Sequence, residues 1–405
     1  MKKLYLIFSF MLFASVMQAQ EQIRVWKEGE SKRFTTSEIL FSEDGETFSV
    51  ADSTYECIQI DSITVVHTVS VTFAGDTAYV DLGHTPNVTY TVEGAHVNII
   101  STNTKSELEF VLQGESTQGS LVYEGALKCK FYLNGLNLTS DEGAAIDIQC
   151  GKRVDLILNP GTENFLVDAP GGEQKAALYC KGHLEVSGSG SLTVSGNTKH
   201  AIATKEYLQI KKSTGSITVN KAVSDGMHIG QYFLMDGGTL DISGQGGEGV
   251  QVEIKTLDDD VTPDPDKEDN GMMFINGGTL NITAKAVTTK AIKAPVDLII
   301  TGGTLDIYAS GAGSKGISVD QDMLVNQDSN ITTITIHATG GVYEDENEDD
   351  SFCYGLKIKG NLTVTAGRLF VSQRNYGSKG GKVGGTCIKS AEASVSVSGL
   401  TWQTQ

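Results

Sequence analysis

The chain has 405 residues and a formal charge of −19, with 46 Gly and 6 Pro. So acidic a chain argues against nonspecific nucleic-acid binding, which relies on Lys and Arg to release counterions, and against holding an acidic polymer without a cation in between. The excess of Thr, Val, Ile and Ser over strong helix formers, with almost no run of helical period, excludes a mainly helical fold.

Met1-Lys2-Lys3 and the apolar run Leu4–Val16, closed by Ala19, predict a secretory signal peptide over 1–19. The run is shorter than the roughly 20 residues that cross a bilayer, and no second long apolar run follows. The mature chain is therefore expected to be exported without membrane insertion, to the periplasm, cell surface or medium, and to be monomeric. Without Lys2 and Lys3 the charge is −21.

Residues 20–68 read as short strands and hairpins, with Ile23-Arg24-Val25-Trp26, a turn at Glu43-Asp44-Gly45-Glu46 and Ile58–Ile63. They predict a small N-terminal β module. Alternation continues over 69–125 without the later repeat, as a cap for the first coil would.

From there a phrase recurs: Gly190-Ser191-Leu192-Thr193-Val194, Gly215-Ser216-Ile217-Thr218-Val219, Gly238-Thr239-Leu240-Asp241-Ile242, Gly278-Thr279-Leu280-Asn281-Ile282 and Gly303-Thr304-Leu305-Asp306-Ile307. The steps between the glycines are 25, 23, 40 and 25. A second phrase, a small residue then an apolar one, keeps step with it: Ala201-Ile202, Gly226-Met227, Gly249-Val250, Ala291-Ile292, Gly316-Ile317 and Gly355-Leu356. Two phrases locked to one period mean one repeated unit. About 25 residues hold three short strands and three turns, too few for a propeller blade. The fold class is therefore all-β, a right-handed parallel β-helix over 69–405.

Stacked coils bring matched positions within about 4.8 Å. Asp225, Glu248 and Glu253 fall at such positions, and oxygen ligands of this kind suit Ca²⁺. His200 and His228 also fall at matched phrases, with Tyr207 and Tyr232 following; aromatic faces beside polar groups suit a sugar. The acidic insertions at 258–270 and 344–350 read as solvated loops. Lys199, Lys205, Lys290, Lys293, Lys315 and Lys357 recur along one strand line. A Lys beside Ca²⁺ could serve as the base of a polysaccharide lyase. Otherwise no catalytic set stands out. Six cysteines without metal-ligand spacing read as mostly buried free thiols.

Several stretches resemble a family of secreted, calcium-binding carbohydrate-binding domains built on a pectate-lyase-like β-helix. They are Leu133-Asn134-Gly135-Leu136, Gly143-Ala144-Ala145-Ile146, Lys181-Gly182-His183-Leu184, Gly196–Ile202, Asp225-Gly226-Met227-His228 and Gly237-Gly238-Thr239-Leu240. The resemblance implies non-catalytic, calcium-assisted binding of extracellular polysaccharide, either a pectin-like acidic polymer or a cellulose-type glucan. The chain departs from the family's Asp-Gly-Ile phrase at Glu248-Gly249-Val250 and Lys290-Ala291-Ile292, which puts the number of calcium sites in doubt. Two other readings remain at this point: a calcium-dependent lyase with a Lys base, and a surface adhesin.

Overall fold

Alternating strands that cannot bury their apolar faces alone are stable only when stacked, and stacking is what the chain does. The computed structural model describes residues 22–35, 38–83, 85–328, 331–344, 350–397 and the backbone of 400–401. The expected signal peptide and positions 345–349 of the second acidic insertion lie outside the described residues. Among those residues the helical content is a single 3₁₀ turn, Cys57–Gln59, and no helix is long and apolar enough to cross a membrane.

The chain divides between Thr68 and Val69 into two compact units. The first is a small β module. Gln22–Lys27 pairs antiparallel with Glu30–Phe34, and Leu40–Phe41, Thr47–Val50 and Ser53–Glu56 form a three-stranded sheet. Ile23, Val25, Phe34, Phe48 and Val50 make its own core.

The second unit is the parallel β-helix. Each coil carries three strands, as in His200–Thr204, Leu208–Ile210 and Ser216–Ala222. The first type of strand stacks into a 13-stranded sheet that runs the length of the coils; the other two types belong to a 24-stranded sheet. Parallel pairing in the 13-stranded sheet already holds between Ala95–Ser101 and Gly119–Glu124, within the segment expected to act as a cap. Val88–Glu93, antiparallel to Ala95–Ser101, is the terminal strand at that end of the sheet.

The register explains both sequence phrases. Leu192, Ile217, Leu240, Leu280, Leu305, Ile334 and Leu369 pair in succession as one inward column, and all are at most 1% exposed. Gly278 adopts φ +88°, and a Cβ there would lie 2.6 Å from the Gly238 carbonyl oxygen. The turn there needs glycine both for its dihedral and for the close approach of the coil beneath, whereas Gly190 and Gly215 meet only the second need. The small residue of the second phrase has a similar cause: a Cβ on Gly226 would lie 2.7 Å from the Gly249 carbonyl oxygen. All six cysteines are free, and Cys129, Cys150, Cys180 and Cys353 are buried.

Because Leu280 sits between Leu240 and Leu305 with no free space to collapse into, Leu280→Ala is expected to destabilise the solenoid by about 2–5 kcal/mol. Urea unfolding measures it, and a loss below about 1 kcal/mol would contradict a close-packed column.

Candidate functional site

Side chains that point outward from the 13-stranded sheet form columns as regular as the core. One runs Asp147, Tyr179, Ala203, His228, Gln251. Ala203 is small, so it leaves a gap between Tyr179 and His228. Around that gap lies a cleft of about 380 Å³ lined by Tyr179, His200, His228 and Glu253, with Glu173, Lys175, Lys199 and Lys205 among the groups at its edge.

Asp225 organises the floor. It lies at the corner entering strand Met227–Ile229 and is 3% exposed. Its Oδ1 accepts the Glu248 backbone N–H from the next coil at 3.0 Å and the Ser224 hydroxyl at 3.2 Å. Its Oδ2 lies 2.8 Å from His228 Nδ1 and 3.2 Å from His200 Nδ1. Burial opposes ionisation of Asp225, yet the bonds to His200, His228 and the Glu248 N–H hold its carboxyl well below the usual range. On its other side His228 Nε2 faces Glu253 Oε2 at 3.3 Å. Burial disfavours the imidazolium, but hydrogen bonds to Asp225 and Glu253 outweigh it and raise His228 to about 9. His200 stacks on the His228 ring, with centroids 4.2 Å apart and planes 21° apart. Burial lowers the His200 pKa, against the opposing pull of the Asp225 carboxylate. The result is a charged His228 between two carboxylates, resting on a neutral His200. Burial, with Asp147 and Cys180 nearby, raises Tyr179 to about 12, so its phenol stays protonated.

The residues singled out in the sequence are brought together only in part. His200, His228, Asp225 and Glu253 meet. Glu248 contributes its backbone N–H, while its carboxylate is turned to Lys290 Nζ at 3.0 Å. Tyr207 and Tyr232 do not line the cleft. They stack on each other at 4.7 Å at the next corner, beneath His183, and the Tyr207 hydroxyl donates to Glu185 Oε1. Both faces of Tyr207 are covered, by His183 and Tyr232, and Tyr232 meets Phe274 edge-on at 6.4 Å. Tyr179 and the groups at Glu173 and Lys175 were not singled out; stepping back one period from Ala203 would have found Tyr179.

Calcium takes six to eight oxygens. Here the Asp225 oxygens already accept N–H and O–H donors, Glu248 is paired with Lys290 and Glu253 with His228, so Asp225, Glu248 and Glu253 do not fit a calcium cage. His200, Asp225 and His228 do offer ligand atoms within 4.8 Å of one another, a nitrogen-rich set unlike calcium's. Both faces of the His228 imidazolium's charge are nonetheless balanced by carboxylates.

Residues 93–383 match the model of a family described as carbohydrate-binding domain-containing protein. A protein of the same description from Acetivibrio thermocellus is 32% identical over 95 residues, which is 22% of this chain and 32% of that protein. The matched segment thus spans about a third of that relative. A solved structure, a gadolinium derivative of the polysaccharide lyase-like protein from C. thermocellum, superposes with a TM-score of 0.49 at 24% identity, covering 66% of this chain and 96% of that one.

His228 titrates well above the ordinary His value of about 6.5, so its bonds stabilise the fold fully below about pH 6.5 and lose that effect as pH rises through about 9. The melting temperature of the wild type is expected to exceed that of His228→Gln near neutral pH, and the gap to narrow by pH 10. A gap that is constant over this range would show that the imidazolium is not what stabilises the site.

Proposed function

The chain belongs to the carbohydrate-binding domain-containing protein family, and from that premise we propose that it binds extracellular polysaccharide at the cleft over Tyr179 and His228 without cleaving it. One observation carries the reading. The outward column places an aromatic ring, a gap and an ionised imidazole on successive strands about 4.8 Å apart. A pyranose ring has an apolar face to lie on the tyrosine and hydroxyls to meet His228, Glu253 and the lysines at the edge. Export to the cell exterior is part of the proposal, drawn from Met1–Ala19.

Catalytic bases need an accessible group within reach of the proton they remove. Burial together with Lys357 and Lys290 lowers Lys315 to about 8, but its Nζ is tied to the Gly313 carbonyl and, at 2.6 Å, to Ser351 Oγ, and the residue is 4% exposed. Asp225 and Glu253 are both engaged by His228.

Calcium assistance, expected from the family resemblance, has no step assigned through Asp225. Any calcium that aids binding would meet other oxygens, those of an acidic glycan included.

A glycan array followed by titration is expected to give binding that falls about 10-fold or more in Tyr179→Ala, the loss expected for removing a ring that covers one sugar face. Unsaturated product from polygalacturonate would replace the binding reading with a lyase. Calcium is expected to leave the melting temperature unchanged to the same degree in wild type and Asp225→Asn; a calcium-dependent rise that Asp225→Asn abolishes would restore the Asp225 site.

A further inference from the structure

The net charge conceals a strong segregation of sign. Beyond the cleft the 13-stranded sheet continues through Lys290–Ala294, Lys315–Val319, Cys353–Ile358 and Ser378–Val383. These four strands contain six lysines and no Asp or Glu. Their register stacks Lys290, Lys315, Tyr354 and Lys379 in one column. A second column, continuous with His228 and Gln251, runs Lys293, Ser318, Lys357, Lys382. The opposite end of the same sheet is acidic, with Glu142, Asp147 and Glu173 around a neighbouring hollow. One face thus passes from acidic coils through the cleft to basic coils.

Like charges on adjacent strands repel, and little in the described structure relieves them. Lys290 pairs with Glu248 at the edge of the cleft. Lys315 is held by Ser351, and Lys379 lies 3.6 Å from the centre of the Phe352 ring. Among the described residues Lys293, Lys357 and Lys382 form no ion pair with a carboxylate. Lys293 and Lys357 are half-buried and Lys382 is exposed. Burial, with Lys382, Lys359 and Lys290 close by, lowers Lys357 below the ordinary lysine value, and Asp320 offsets this only in part.

We propose that Lys293, Lys357 and Lys382 form a subsite for the anionic groups of an acidic glycan, whose chain runs along the helix axis from the cleft onto the last coils. The subsite rests on the reading of the cleft as a glycan site and adds to it a direct contact between these lysines and the polymer's anionic groups. Stacked strands repeat at about 4.8 Å, so the lysines offer positive charge along the axis, across the strands, where a polymer carrying a carboxylate or sulfate on each sugar can meet several at once. A direct contact of this kind needs no bridging cation. It revises the expectation drawn from overall charge, because a polyanion meets the local field of the last coils and not the sum over the chain.

The test uses the full mature chain with excess EGTA and three probes: polygalacturonate, a sulfated galactan and a neutral cellulose-type oligosaccharide. Affinities are measured by calorimetry at several NaCl concentrations. An acidic probe is expected to bind in EGTA and to weaken steeply as salt rises, and whichever acidic probe binds tells uronate from sulfate recognition. The triple variant Lys293→Gln, Lys357→Gln, Lys382→Gln is expected to lose about 10- to 100-fold of that affinity. Its affinity for the neutral probe and its melting temperature should not fall. If the triple variant fails to fold, Lys382→Glu, at an exposed position, must weaken acidic binding in the same direction. Acidic binding that survives these substitutions, or that appears only with calcium, overturns the subsite while leaving a glycan-binding cleft intact. If none of the three probes binds the wild type, the reading of the cleft falls as well.

Discussion

Parallel, in-register stacking of coils is the constraint from which the rest of this molecule follows. Each strand takes its backbone partners from the coils on either side, so a residue's neighbours are those about two dozen positions away in the chain. Inside, this aligns Leu192 through Leu369 in one apolar column. It also forces glycine or alanine wherever two coils nearly touch, as at Gly226 and Gly278. Outside, it converts a pattern spread along the sequence into a continuous surface.

That surface carries the proposed glycan site. Stacking amplifies whatever residue type recurs at a given place in the repeat. An Ala at position 203 between Tyr179 and His228 opens a cleft; a Lys recurring over four strands builds a positive band. The same rule makes polar residues on this face interdependent. Asp225 ties its own coil to the next through the Glu248 N–H while orienting His228, so one carboxylate both links two coils and shapes the cleft. Buried polar networks of this sort are stabilising when every member is satisfied and costly when one is missing.

The comparison between sequence and structure is instructive at Glu248. Matched spacing put its backbone beside Asp225 as expected, yet its carboxylate follows the nearer cation, Lys290. Matched phrases locate a Cα; side-chain direction is decided by whichever opposite charge lies within reach. Tyr207 and Tyr232 tell the same story. Their spacing put them on adjacent coils as sugar-facing rings, but position beyond the strand end puts them at a corner, where they stack on each other away from the cleft.

What the sequence determined by itself is the repeat and its consequences: an all-β chain, three strands per unit of about 25 residues, the Leu column, and the meeting of His200 with His228 and Asp225. Those features depend on periodicity, and periodicity is written in the order of residues. What only the tertiary structure decided is which outward positions share a rung, and therefore that Tyr179 belongs to the cleft, that the Asp225, Glu248 and Glu253 carboxylates do not converge on one point, and that Lys379 and Lys382 extend the line of lysines onto the last coils. The physical reason is that electrostatic and hydrogen-bond partners are chosen over a few ångströms in space, a distance that composition and net charge average away.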